Sequence, residues 1–289
     1  MSMDSNKQPS PTTIAELVNS GNKVKASNGE SSGKEKKQVK LLGRLLASNM
    51  LVPGSNLDRE IQDEYRRIKR PLVSNAVGRN RLLVNRGNLI LVTSAVPGEG
   101  KSYTSTNLAL SIAHEMDTTV LLVDCDIAKQ GLSRSLGLEG MYGLVDVLED
   151  DNLSIGDVML HTDIPKLRVV SAGKQQHDYV AELLASQRMA DLVNELASRY
   201  SDRIIIIDGP PLLPTPQTQI IAGLVGQVVF VIEAGKTPQS LVTDALELIP
   251  EERATGLVLN KNVGLSSLSG YGYGYGYGYG YYAGNKDKP

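Results

Sequence analysis

Leu89-Ile-Leu-Val-Thr-Ser94-Ala-Val-Pro-Gly98-Glu-Gly100-Lys101-Ser102-Tyr103 decides the fold. Four consecutive aliphatic residues followed by Thr93 and Ser94 predict a strand buried on both faces over Leu89–Ser94. A glycine-rich turn then runs into an apolar helix starting near Lys101. Such a turn offers backbone N–H groups and the positive end of a helix dipole to an anion, and Gly98 and Gly100 carry no side chain to hold a phosphate chain away. Lys101 would neutralise the β- and γ-phosphates, and Ser102 would offer its hydroxyl to Mg²⁺. Pro97, Gly98, Glu99, Gly100, Lys101, Ser102 and Tyr103 are therefore the candidate nucleotide-binding residues. Ala95 stands where such a loop usually begins with glycine, so the pattern is missed by one methyl group. A plain turn joining a strand to a helix is the rival reading.

Outward from this loop the apolar runs recur without polar alternation. Strands are predicted at Leu89–Ser94, Val120–Asp124, Leu167–Ser171, Arg203–Asp208, Val228–Glu233 and Gly256–Asn260. Helices are predicted over about 57–70, 101–115, 180–200, 215–223 and 238–248. This alternation specifies an α/β fold, a P-loop NTPase-like, doubly wound, mostly parallel sheet with helices on both faces, over residues 56–264. Residues 1–55, rich in Ser, Asn, Gly and Lys at their start, and residues 265–289 are read as flexible tails. A short helix around Thr13 to Val18, with Ile14, Leu17 and Val18 apolar, is the candidate docking element in the first of them.

Composition narrows the function. Thirty Lys and Arg against 32 Asp and Glu give a formal charge of −2, which argues against a nucleic-acid partner. The longest apolar run, Ile220 to Ile232, is thirteen residues broken by Gln227, short of the roughly 18–20 that cross a bilayer. Met1–Ser20 lacks the apolar core of a secretory peptide, and the single cysteine, Cys125, can form no internal disulfide. A cytoplasmic location is expected. His114, His161 and His177 lack the grouping of a metal-hydrolase site.

Two further strands end in carboxylates, at the edge where ligands of such sheets bind. Val120-Leu-Leu-Val-Asp124-Cys-Asp126 places two acids at i and i+2, on one face of an extended chain. Arg203-Ile-Ile-Ile-Ile-Asp208 sets Asp208 behind four isoleucines, where a carboxylate needs a cation or strong donors. A helix cap remains the alternative for Asp126. Ser102, Asp124, Asp126 and Asp208 are the candidate metal-binding residues, with Asp208 reaching Mg²⁺ through water. Lys101, Asp124, Asp126 and Asp208 are the candidate catalytic set.

In combination, Ser94–Ser102, Val123-Asp-Cys-Asp126 and Ile207-Asp-Gly-Pro-Pro211, with a terminal tyrosine cluster, resemble the bacterial tyrosine autokinases of capsule and exopolysaccharide synthesis, most closely the subgroup of exosortase-linked loci. The resemblance covers about residues 57–264. It implies ATP and Mg²⁺ as cofactors, with Lys101 and Ser102 in the Walker A motif, Asp124 and Asp126 in A′, and Asp208 in B. It also implies a ring-like homo-oligomer built through Glu64, Arg67 and Arg70 of Glu64-Tyr-Arg-Arg67-Ile-Lys-Arg70. A solvated helix face is the plainer reading of those three residues. Relatives carry Arg-Arg-Pro after A′, whereas this chain has Ala128-Lys129-Gln130. A ParA/MinD-like switch ATPase is the rival class; such proteins carry a second lysine early in the loop, which Ser94-Ala-Val-Pro97 lacks.

The resemblance further implies that the acceptors are Tyr271, Tyr273, Tyr275, Tyr277, Tyr279, Tyr281 and Tyr282, seven of the chain's twelve tyrosines. Their alternation with glycine keeps the segment pliant enough to enter a neighbour's site. A low-complexity sticky segment would share that composition. A membrane chain-length regulator acting as anchor and activator at the inner face of the cell membrane, and a cognate tyrosine phosphatase, are the implied partners.

Overall fold

A computed structural model of the chain describes residues 37–52, 59–77, 83–174, 179–199 and 203–262. In chain order the elements are β1 (Gln38–Val39), α1 (Leu42–Ala47), α2 (Arg59–Ala76), β2 (Leu89–Ser94), α3 (Lys101–Ala113), β3 (Thr119–Asp124), α4 (Gly131–Leu136), α5 (Leu144–Glu149), α6 (Ile155–Val158), β4 (Leu160–Thr162), β5 (Leu167–Val170), α7 (Val180–Leu184), α8 (Gln187–Arg199), β6 (Arg203–Asp208), α9 (Pro216–Leu224), β7 (Gln227–Glu233), α10 (Gln239–Leu246) and β8 (Ala254–Asn260).

The strands form one sheet in the order β1-β4-β5-β3-β6-β2-β7-β8, parallel throughout except between β4 and β5. Every residue of β2 and β6 is buried, as expected of strands covered on both faces. Their side chains alternate between two cores. Leu89, Leu91, Ile205 and Ile207 pack with α5, α8 and α9, while Ile90, Val92, Ile204 and Ile206 pack with α1, α2 and α3. Helix α3 is buried almost all round, so its sequence shows little amphipathic contrast.

The expected tail over residues 1–55 is corrected by the structure. Residues 37–52 fold onto the sheet, burying Leu41, Leu45, Met50 and Val52 in the core of the α3 face. Asp163 fixes the turn, its carboxylate accepting from the backbone N–H of Leu41 at 2.7 Å and of Leu42 at 3.2 Å. That partner lies 122 residues away, so local composition could not reveal it.

Helix α2 also outruns its expected end at Arg70, because Pro71 sits on its exposed side. Water there can take up the carbonyl that the missing N–H frees, while buried Leu72 and Ala76 hold the last turn. The expected start at Leu57 lies outside the described residues. The single helix expected over 180–200 is two, broken at Ala185–Ser186, where the Ser186 hydroxyl accepts from the Met189 N–H and starts α8. Helices α4, α5 and α6 and strands β1 and β4, two to six residues each, are too short to leave a periodic signal.

Leu45→Ala should lower the free energy of unfolding by about 2–4 kcal/mol, the range for a buried leucine that leaves a cavity. Asp163→Ala should cost about 1–3 kcal/mol by leaving two backbone donors unpaired. Urea denaturation followed by circular dichroism measures both, and wild-type stability in both variants would mean that residues 37–52 are not part of the cooperative fold.

Candidate functional site

Strand register brings the site together. Val92 of β2 and Asp124 of β3 both stand opposite Asp208 of β6, so β3 and β6 end at one level and β2 runs two residues past it into the loop. The loop after β2 turns through two left-handed glycines, Gly98 at φ 92° and Gly100 at φ 97°, conformations that disfavour a Cβ. A Cβ on Gly100 would also strike the Asn260 side chain at the end of β8.

The loop is shaped from within by Glu99. Its buried carboxylate accepts from the Val96 N–H at 2.9 Å, the Glu233 N–H at 3.2 Å and the Thr237 hydroxyl. From outside, Asn260 Nδ2 donates to the Glu99 carbonyl at 2.8 Å and Lys261 Nζ to that of Gly98 at 2.7 Å. Lys261 also pairs with Glu233 at 3.1 Å. Glu99, expected to face nucleotide, is instead an internal tie. Glu233, Thr237, Asn260 and Lys261 carry no motif of their own, but Glu233 and Asn260 end their strands at this same rim, a position that marks them in the sequence. Tyr103 is half-buried, packed against the core of the α3 face.

Lys101 opens α3 and is 8% exposed. Burial pulls its ammonium below the ordinary lysine range, and Asp208 and Asp126 pull it back up. Asp124 is wholly buried. Its Oδ2 accepts from the Ser133 N–H at 2.8 Å and hydroxyl at 2.6 Å, and its Oδ1 from the Asp126 N–H at 3.1 Å. Burial and the nearby Asp208 charge push its carboxyl up to about 7, against the pull of Ser133. Asp126, with little exposure, closes a turn through its carbonyl, which accepts from Gln130 N at 2.6 Å and Lys129 N at 3.2 Å. In the departing Ala128-Lys129-Gln130 segment, Gln130 takes a left-handed turn at φ 49° that launches α4. Lys129 is exposed, and its like charge lowers the pKa of Lys101 further.

Asp208 is also wholly buried, and its Oδ1 accepts from the Ser105 hydroxyl at 2.8 Å. Burial pushes its carboxyl up to about 6, although the nearby Ser102 and Ser105 hydroxyls and the Lys101 ammonium oppose that. Its Oδ2 is buried with no hydrogen-bond partner. An orphaned carboxylate oxygen beside a phosphate loop fits a hydrated cation that completes its coordination. Among the described residues no three His, Cys, Asp or Glu are placed to hold a metal by themselves. Ser102, Asp124, Asp126 and Asp208 therefore form no closed protein cage, and Asp124 already uses both oxygens. Ser102 and Asp208 are the members that fit a metal carried in with phosphate.

The α2 residues expected at a subunit boundary, Glu64, Arg67 and Arg70, are all exposed, while Tyr65 on the opposite face is buried. Lys69 belongs to the inner side, its Nζ bonding the Ser111 carbonyl at 2.8 Å and the Glu115 carboxylate. Arg66, Arg67, Lys69 and Arg70 make a basic patch in the sequence, from which Lys69 is thus withdrawn. The seven candidate acceptor tyrosines, 271 to 282, lie outside the described residues.

Residues 87–237 match the family model described as AAA domain. The tyrosine-protein kinase YwqD of Bacillus subtilis is 32% identical over 185 residues, covering 63% of this chain and 76% of YwqD. The succinoglycan biosynthesis transport protein ExoP of Rhizobium meliloti is 32% identical over 186 residues, covering 61% of this chain and 22% of ExoP. The chain spans only 18–24% of the longer curated relatives it matches. Among solved structures, the VpsO kinase domain superposes with a TM-score of 0.58 at 28% identity, over 70% of this chain and 96% of that domain. With its nucleotide-loop fold, its strand-end aspartates and these matches, the chain belongs to the AAA domain family and, within it, to the bacterial tyrosine kinases.

Proposed function

We propose that this chain is an ATP-dependent protein-tyrosine autokinase that phosphorylates its own tyrosines between 271 and 282, from one subunit to the next in a ring-like homo-oligomer, and so regulates exopolysaccharide synthesis and chain length. The observation that supports it most is the convergence of buried Lys101, Asp124 and Asp208 around one preformed loop. Transfer breaks the bond from the γ-phosphorus to the β,γ-bridging oxygen of ATP and forms one to the tyrosine oxygen; ADP leaves and the phenolic proton must go to a base. The loop amides and Lys101 hold the phosphates in line, stabilising charge that is spread over the transferring group. Mg²⁺, held by Ser102 and through water by Asp208, would supply further neutralisation of that charge.

Asp124 is the candidate base. A carboxyl near 7 suits a proton acceptor at neutral pH, and a phenol with pKa near 10 needs one. In the free enzyme Ser133 occupies Asp124, so the incoming phenol must exchange with the Ser133 hydroxyl. Asp126 would set the loop rather than touch the reacting atoms. Tyr271 lies eleven positions beyond Asn260, at most roughly 35–40 Å of chain, a span suited to a neighbouring site. Tethering to the ring would raise the local tyrosine concentration to about the millimolar range, so loose recognition suffices.

No helix among the described residues is long and apolar enough to cross a membrane. ExoP's name as a succinoglycan biosynthesis transport protein and the family resemblance support recruitment to the inner face of the cell membrane by a separate co-polymerase, with a kinase domain that takes in residues 37–52 and runs to about 264, followed by an acceptor tail over 265–289.

Three outcomes are expected. Lys101→Met and Asp124→Asn should abolish phosphotyrosine in the tail, while replacing all seven terminal tyrosines by Phe should leave ATP binding intact; phosphate mapping by mass spectrometry and nucleotide titration check both, and a fully phosphorylated Lys101→Met chain would refute the site. Phosphorylation should lower the assembly mass in light scattering, since each phosphate adds about −1.5 to −2 charges and ring neighbours repel. The nucleotide-free protein should lose the stability these two carboxyls, Asp124 and Asp208, contribute as pH rises from about 4 to 7. The folded-state pKa values of Asp124 and Asp208, about 7 and about 6, lie above the ordinary 3.8, so the fold favours their protonated forms, and ionisation removes that advantage. Asp208→Asn should flatten this slope in thermal melts, and an unchanged slope would show that its carboxyl does not titrate as the geometry requires.

A further inference from the structure

The sheet ends on β8, which among the described residues pairs with β7 alone. Its sequence, Ala254-Thr-Gly-Leu-Val-Leu-Asn260, has no proline and no charge. Native proteins keep edge strands short, charge them or cover them, because an open edge recruits another strand. Leu257 is 58% exposed and Leu259 60%. Both stand on one face, in register with Phe230 and Ile232 of β7, whose own side chains join the core beneath α10. The edge therefore offers seven residues of backbone and an apolar strip to a further strand.

The occupant is argued from where the chain goes next. Asn262 is the last described residue, and 27 residues follow it. Seven of them, Val263–Ser269, lead to Gly270-Tyr-Gly-Tyr-Gly-Tyr-Gly-Tyr-Gly-Tyr-Gly-Tyr281. This segment has the period of a strand, so every tyrosine would share one face and every glycine the other. β8 is about 23 Å long at about 3.3 Å per residue, and twelve alternating residues more than match it. Tyrosine is favoured in strands, and aromatic side chains opposite aliphatic ones form stabilising cross-strand pairs.

We infer that the Gly270–Tyr281 segment docks as an added antiparallel strand on β8 of its own chain, with tyrosine rings over Leu257 and Leu259. A slip by two residues returns tyrosine to tyrosine and glycine to glycine, so the register is degenerate. Each slip moves a different tyrosine beyond the end of β8 while the contacts on the leucines stay the same. The edge is thus a holder that stores the segment and releases its residues in turn. This goes beyond phosphoryl transfer and does not depend on it.

Hydrogen exchange read by mass spectrometry, without ATP, tests the inference on the full chain, on a chain ending at Asn262 and on a Leu257→Lys/Leu259→Lys variant. Amides of β8 should exchange about tenfold or more slower in the full chain than in either other protein. Chymotrypsin should cleave after the tail tyrosines about fivefold faster in the double variant. Should that variant not fold, replacing the seven tyrosines by Ser in the full chain should deprotect β8 in the same way. Protection should survive an approximately hundredfold dilution, as an intrachain contact must. Equal β8 exchange with and without the tail would overturn the inference, and so would protection that fades on dilution, which would give the edge to a second copy. A kinase-dead chain that still protects β8 would separate this result from the fate of the autokinase reading.

Discussion

Burial of Asp124 and Asp208 at adjacent strand ends is the constraint on which the rest of the site depends. Opposite each other in register, they would repel as carboxylates, and neither faces bulk water. Lys101 is the nearest compensation, but it too is desolvated. Three charged groups are held where each is partly deprived of its charge, which a purely structural interior would avoid. A phosphate chain and a hydrated cation restore the balance: the anion answers Lys101 and the loop amides, and the cation answers Asp208 Oδ2. On the proposed function, nucleotide affinity would derive partly from relieving the electrostatic cost that the free fold already carries.

That cost is sustained by a stiff frame around the site. Glu99 ties the loop to the start of the turn after β7, and Asn260 and Lys261 tie it to the end of β8. Four elements thereby set the path of six loop residues, so the amides need not reorganise when phosphate arrives. Ser133 holds Asp124 in place in the free protein, and its hydroxyl also accepts from the Ala172 N–H at 2.9 Å, linking α4 to the end of β5. A short helix that leaves no periodicity in the sequence therefore governs the most perturbed carboxyl of the site.

What the sequence revealed follows from range. The six long strands, α3 and the phosphate loop announce themselves because each is written in consecutive residues: aliphatic runs, glycines at fixed offsets, an acid at a strand end. Residues 37–52 do not, because Leu41 and Leu45 become core only once Asp163 has capped their turn from another part of the chain. Glu99 and Lys69 misled for the same reason. Both sit in motifs whose composition suggests an outward role, and both are drawn inward by partners at Glu233, Thr237, Ser111 and Glu115 that only the tertiary fold supplies.

The two faces of α2 follow from that distinction. With Lys69 pinned to α3 and Tyr65 and Leu72 in the core, the helix cannot rotate without breaking buried contacts. Arg67 and Arg70 are thereby fixed outward along one stripe, exposed and without a carboxylate partner among the described residues. Rotational locking of a surface helix is what turns three exposed side chains at a spacing of three into a directional surface, since an interface between copies requires the same stripe to point the same way in each. The inward pull that removes Lys69 from the basic patch is therefore also what gives the remaining arginines a defined geometry.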